Sequence, residues 1–184
     1  MDVEHKYKMT AKDAITLLRK ADFSDSLGYL FIERLAFNTS IANADAHAKN
    51  YSVMLRKTGI SLAPAYDVLT TAYWDFVDPR LAMHIAGADR PAQITQHHWR
   101  KLARSSGLDE DKVEEIAITV ASRVMEKRDA AYAMLPPKVR DRLKTILDKA
   151  NKNIPTNQPN WAANGDVLTS GRFENKLKLS EGIQ

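Results

Sequence analysis

The chain has 184 residues, 44% of them hydrophobic and 27% charged, with a formal net charge of +4. That length and apolar content suit one domain, with or without a tail, and exclude disorder throughout. The absence of cysteine excludes disulfides, thiolate catalysis and cysteine-based zinc sites and is compatible with a cytoplasmic setting, while no apolar run reaches the roughly 18 residues of a membrane helix.

The predicted elements begin at Thr10, which can cap a helix whose Asp13 favours its N-terminus and whose Ile15 and Leu18 follow at helical spacing. A second helix is predicted over residues 26–37, with Leu27, Leu30, Phe31 and Leu35 on one face. Residues 38–50 carry short and polar side chains and read as a loop. Residues 51–56 read as a strand, Lys57-Thr58-Gly59 as a turn and residues 60–62 as a return strand, which Pro64 ends because it cannot donate to a ladder. Three later helices are expected. One covers residues 94–105 with Trp99 and Leu102. One opens at Leu108-Asp109 and carries Val113, Ile116, Ala117, Val120 and Val124. One starts at Pro136-Pro137 and carries Val139, Leu143, Ile146 and Leu147. Residues 1–150 form the expected domain, mainly α with a short β-hairpin, and residues 151–184 a polar peripheral tail.

The chemistry concentrates between Asn43 and Asp67. Asp45 and Asn50 lie five residues apart in the loop that enters the hairpin, and Asp67 follows Asn50 by seventeen, where the return strand has ended. A hairpin brings its ends together, so Asn50 and Asp67 can share one metal while Asp45 sits nearby. Phosphoryl transfer needs that arrangement, because it depends on positioning and charge neutralisation more than on covalent chemistry. Mg²⁺ prefers oxygen ligands, often one or two protein groups completed by phosphate and water. A second carboxylate outside the metal shell can orient a substrate hydroxyl and accept its proton. The Asp-x-x-x-x-Asn spacing is also that of the kinase catalytic loop.

The stretches Asn43-Ala44-Asp45-Ala46-His47-Ala48-Lys49-Asn50-Tyr51-Ser52 and Leu62-Ala63-Pro64-Ala65-Tyr66-Asp67-Val68-Leu69-Thr70 closely resemble HipA-like serine/threonine kinase toxins. Leu81-Ala82-Met83-His84-Ile85-Ala86-Gly87 and the segment from Ile94 to Trp99 are similar to the same family's C-terminal domain, so the resemblance covers about residues 5–150. It implies a mostly helical, kinase C-lobe-like domain with ATP and Mg²⁺ as cofactors. By position in the motif, Asp45 takes the place of the catalytic base, and Asn50 and Asp67 take the cofactor- and metal-binding places. His47 stands where ordinary protein kinases carry a catalytic-loop lysine, and Lys49 is the nearest cation. The family implies a protein substrate, an aminoacyl-tRNA synthetase, and a helix-turn-helix antitoxin that binds operator DNA.

The departure from the pattern is as informative. Only 44 residues precede Asp45, too few for an N-lobe, and the seven glycines include no Gly-x-Gly element. The sequence therefore predicts a C-lobe that depends on a second chain, or a missing segment, for its phosphate-covering loop. Weak or absent kinase activity is expected of the chain alone. The alternative is an inactive, truncated lobe that binds an antitoxin or DNA. A third reading, a metal-dependent phosphohydrolase using Asp45, His47 and Asp67, leaves Asn50 unexplained.

Each residue also has a plain structural reading. Asp67 on its own would cap a helix beginning at Val68, and Asp45 and Asn50 would hold Asx-turns. His47 would brace the loop and Lys49 would be solvated. Tyr73, Trp74 and Phe76 read as packing residues. Neighbouring His97 and His98 face different directions on a helix, which makes a shared metal improbable. The basic runs at residues 100–104 and 138–144 read as solvated helix faces, or as auxiliary phosphate contacts to operator DNA.

Overall fold

A computed structural model describes residues 9–57 and 59–155. The helices are α1 (Ala11–Ala21), α2 (Ser26–Ser40), α3 (Gln96–Ser106), α4 (Glu110–Ala131) and α5 (Pro137–Ala150). The hairpin strands β1 (Val53–Arg56) and β2 (Gly59–Leu62) pair antiparallel in the register Val53↔Leu62, Met54↔Ser61, Leu55↔Ile60 and Arg56↔Gly59. The domain is thus mainly α with one short hairpin, as the sequence predicts. No helix among the described residues is long and apolar enough to cross a membrane.

Helix α1 starts where Thr10 and Asp13 close a capping box: Asp13 N donates to Thr10 Oγ1 at 3.1 Å and Thr10 N donates to Asp13 Oδ2 at 3.1 Å. Helix α4 starts at Asp109, whose Oδ1 accepts Lys112 N at 2.8 Å. Helix α3 ends at Gly107, whose φ of 75° suits glycine, and where a Cβ would fall onto Arg19 Nη1. That guanidinium donates to Ser106 O at 2.9 Å and to Asp25 Oδ1 at 2.6 Å, joining α1, the entry to α2 and the end of α3.

Helix α2 lies at the centre, packed against α1 and α4, while α3 packs against α1 and α4. Its core residues follow two stripes of spacing four, Leu27-Phe31-Leu35 and Gly28-Ile32-Ala36. Ile32 is fully buried, whereas Leu30, placed on the inner face by the sequence reading, is 41% exposed. Ile15, Leu81, Met83, Ile85, Ile94, Trp99 and Val113 complete the core around it. Each large apolar side chain removed from water contributes roughly 1.5–3 kcal/mol.

The helix also runs three residues beyond the predicted end. Asn38, Thr39 and Ser40 are buried and helical rather than looped. Thr39 Oγ1 donates to Leu35 O at 2.8 Å and Asn38 Nδ2 to Arg34 O at 3.1 Å, so their polar groups are satisfied by the preceding turn. Helix α5 closes over the end of α2: Asn151 Nδ2 donates to Ser40 O at 2.9 Å and to Leu147 O at 2.8 Å. Asn151 is itself buried. The predicted tail beyond residue 155 lies outside the described residues.

Candidate functional site

The loop after α2 is held from beneath by Asn43, which is 0% exposed. Its backbone N donates to Asn38 O at 2.8 Å. Its Nδ2 donates to Asn38 Oδ1 at 2.9 Å and to Asp67 O at 3.2 Å. Its Oδ1 accepts Asp45 N at 3.2 Å. One buried amide therefore ties the backbone of Asp45 to the backbone of Asp67. Thr71 adds a second tie, with Oγ1 accepting Ala44 N at 2.6 Å and donating to Ala42 O at 3.1 Å.

From the hairpin side, Ser52 O accepts Ala63 N at 2.8 Å, and the Tyr66 hydroxyl meets Ser52 Oγ at 2.7 Å and donates to Lys49 O. These bonds bring the two ends of the hairpin together. Asn50 is buried in a single 3₁₀ turn, Ala48–Asn50, and its Nδ2 donates to Asp67 Oδ2 at 2.5 Å. The second carboxylate oxygen, Oδ1, takes no part in that bond.

The backbone at Asp67 is left-handed, with φ of 55°, and no helix starts at Val68; the next helical turn is the 3₁₀ segment Thr71–Tyr73, with Thr70 at its cap. Helix capping by Asp67 is thus replaced by a strained turn that turns its carboxylate toward Asn50. Ala42 is also left-handed, with φ of 55°. Such backbone costs about 1–2 kcal/mol at a residue with a Cβ, and persists where surrounding bonds over-determine it. Asp45 is exposed, its carbonyl accepting His47 N at 2.8 Å. Lys49 is exposed and His47 partly buried.

Two groups flanking the site have altered acidity. Burial pushes the Tyr51 phenol up to about 12 against the opposing hydrogen bond from Asn38 Nδ2 at 3.3 Å, with its ring 4.9 Å from that of Phe31. Burial likewise lowers the Arg34 guanidinium, against the pull of Tyr51, Glu33 and Tyr66.

The structure brings together Asn50 and Asp67, and the Asn43 hub ties the backbone of Asp45 to that of Asp67. It does not bring Asp45, His47 and Asp67 into a metal cluster: among the described residues no group of three His, Cys, Asp or Glu side chains is placed to hold a metal ion. A carboxylate and an amide side by side are two oxygen-bearing groups, a donor set that fits Mg²⁺ completed by phosphate and water and does not form an all-protein cage. Asn43, Thr71 and Tyr66 escaped assignment in the sequence reading. Asn43 stood inside the motif, two residues before Asp45, but its bonds reach residues 38 and 67, a pairing that no local pattern reveals.

The other expected sites resolve into structure. His98 Nδ1 accepts Thr95 N at 3.2 Å and caps α3. In the basic runs, Arg100 meets Asp111 and Glu114, each at 2.6 Å, Arg104 meets Glu110 at 2.7 Å and Lys144 meets Asp129 at 2.9 Å. Much of that positive charge is therefore compensated internally.

Architecture and site define a helical domain that uses one hairpin to set a carboxylate beside a carboxamide, over a loop held by a buried polar hub. The HipA-like C-terminal domain family matches residues 1–128, and the chain belongs to that family. Over 100 residues it is 32% identical to Y4mE, a candidate kinase of Sinorhizobium fredii, covering 54% of this chain and 24% of that protein. Over 101 residues it is 29% identical to the serine/threonine-protein kinase toxin HipA of Shewanella oneidensis, covering 55% of this chain and 23% of the toxin. The chain thus spans about a quarter of the length of these relatives. Its fold matches that of a chain in the solved complex of Shewanella oneidensis HipA, HipB and operator DNA, with a TM-score of 0.63 and 20% identity over 83% of this chain and 41% of that one.

Proposed function

We propose that the chain is the C-lobe of an ATP- and Mg²⁺-dependent Ser/Thr protein kinase of the HipA type, active when an N-lobe completes it. The observation that carries this reading is the Asn50–Asp67 contact at 2.5 Å, anchored to Asp45 through Asn43. Asp67 and Asn50, its carboxamide turned so that the oxygen replaces Nδ2, would hold Mg²⁺, which when bound neutralises charge on the phosphoryl group. Asp45, exposed at the loop surface, orients the substrate hydroxyl and takes its proton at the carboxylate as the oxygen bonds to phosphorus and the bond to ADP breaks. Lys49 adds positive charge on the same loop, and His47 holds the loop backbone through its bond to Asp45 O. The family supports a cytoplasmic setting, a protein substrate such as an aminoacyl-tRNA synthetase, and a helix-turn-helix antitoxin through which operator DNA is reached. The internal pairing of Arg100, Arg104 and Lys144 speaks against direct DNA binding by those helix faces.

Calorimetric titration with Mg-ATP tests the reading, using the 184-residue chain alone and mixed with an N-lobe chain from a HipA-type kinase. Saturable heat that falls at least about tenfold in Asp67→Asn is expected, because the altered side chain removes the only charged oxygen donor of the pair. Equal binding by wild type and variant, or none by either with the N-lobe present, overturns it.

A further inference from the structure

A cavity of about 530 Å³ opens between α5 and the segments at residues 72–79 and 90–92. That volume falls in the range of about 300–1,000 Å³ typical of ligand pockets and far exceeds what one phosphate fills. Arg90, Arg142 and Lys149 reach its wall, against one carboxylate, Asp75. Ala42, Ala72 and Ile146 give it an apolar lining between the charges.

Arg100, Arg104, Arg128 and Lys144 all stand in ion pairs with carboxylates of α4 or α5. Arg90 and Lys149 make no ion pair among the described residues. Arg142 does: its Nη2 lies 2.6 Å from Asp75 Oδ1, and its guanidinium sits 4.9 Å from the centre of the Tyr73 ring. The Asp75 side chain is 89% exposed, so the carboxylate reaches in from solvent. The cleft already receives one carboxylate on a short, irregular segment, and Arg90 and Lys149 have none within ion-pair distance, Arg90 sensing Asp78 at longer range.

We infer that this cleft binds an acidic peptide segment of a partner protein, whose carboxylates meet Arg90 and Lys149 and displace Asp75 from Arg142. The apolar lining receives the aliphatic stems between those carboxylates, which a bare anion lacks. A nucleic-acid backbone needs a broad basic face, and on the basic helix faces Arg100, Arg104 and Lys144 are already paired with carboxylates. The inference does not depend on phosphoryl transfer. The cleft shares none of its lining with Asn50 or Asp67, though Ala42 belongs to the loop that Thr71 holds.

Fluorescence anisotropy of a labelled hexaglutamate peptide, titrated with the full chain, is the test. Saturable binding is expected, weakened at least about tenfold in the Arg90→Glu/Lys149→Glu variant and by raising NaCl from about 50 to about 300 mM, since such contacts are electrostatic. Asp75→Asn, which removes the competing carboxylate, is expected to tighten it several-fold. Circular dichroism checks that the variants are folded, and Arg90→Gln/Lys149→Gln replaces the double charge reversal if that fails to fold. Binding unchanged in the folded double variant overturns the inference. So does displacement by inorganic phosphate as readily as by unlabelled hexaglutamate, which would make this a small-anion site. Displacement by duplex DNA at lower concentration than by the peptide would make it a nucleic-acid surface and equally overturn it.

Discussion

Asn43 makes more of the site than any residue the chemistry points to directly. Its carboxamide satisfies Asn38 Oδ1, the Asp67 carbonyl and the Asp45 amide in a position with no solvent access. Truncation to alanine removes all three bonds and leaves Asn38 Oδ1 buried without its partner, and an orphaned buried polar group costs about 1–3 kcal/mol. Asn43→Ala is therefore expected to lower unfolding free energy by roughly 2–3 kcal/mol in urea denaturation. A change below about 0.5 kcal/mol, the range of ordinary surface substitutions, would show that the hub is dispensable. The sequence displayed Asp45, Asn50 and Asp67 because their types and spacing announce metal-phosphate chemistry. Asn43 was opaque because its value lies in partners five residues before it and twenty-four after it.

At the scale of elements, helix starts were readable where a side chain closes the first turn, as Thr10 with Asp13 and Asp109 with Lys112 show. Helix α3 uses a less obvious device, with His98 in the place where a capping box carries Glu or Gln. Because Thr95 N can only donate, His98 Nδ1 must be an unprotonated acceptor in this contact. Burial lowers the His98 pKa, with His97 and Lys101 acting in the same direction. The folded state thus favours the neutral ring. The stability it adds is fully present above the ordinary histidine pKa and is lost as pH falls through the lower folded value. Thermal melts between about pH 7 and pH 5 are expected to show a decline that His98→Gln reduces, since glutamine accepts the same bond without titrating. Parallel profiles for the two proteins would refute the cap. Residues 81–85 were the least legible element. Leu81, Met83 and Ile85 are buried in alternation with exposed Ala82 and His84. That two-residue period marks extended chain, but the segment lies against the helical core outside any sheet of more than one bridge, Ile85 with Ala88.

For the molecule as a whole, the hairpin is unfinished. In its register Val53 faces Leu62 and Leu55 faces Ile60, so strand alternation places all four on one side. Leu62 packs on the core, yet Val53 is 46% exposed, Leu55 79% and Ile60 38%. A two-stranded hairpin is marginal by itself, and an apolar face left in water beside a candidate site marks a surface that something covers. The relatives are about four times longer than the matched region, judged from the 24% and 23% of their lengths that it spans. In the proposed reading the N-lobe is the occupant, and seated there it would lie over Asn50 and Asp67 at the hairpin's base. Leu55→Lys separates this from a merely local role. Because the side chain is so exposed, the variant's melting temperature is expected to match that of wild type. Its affinity for a separately produced HipA-type N-lobe, read by calorimetry, is expected to fall by at least about tenfold, the loss that follows when a charge must be buried at an apolar contact. Unchanged affinity in both Leu55→Lys and Ile60→Lys would place the second lobe elsewhere and leave Asn50 and Asp67 open to solvent from above.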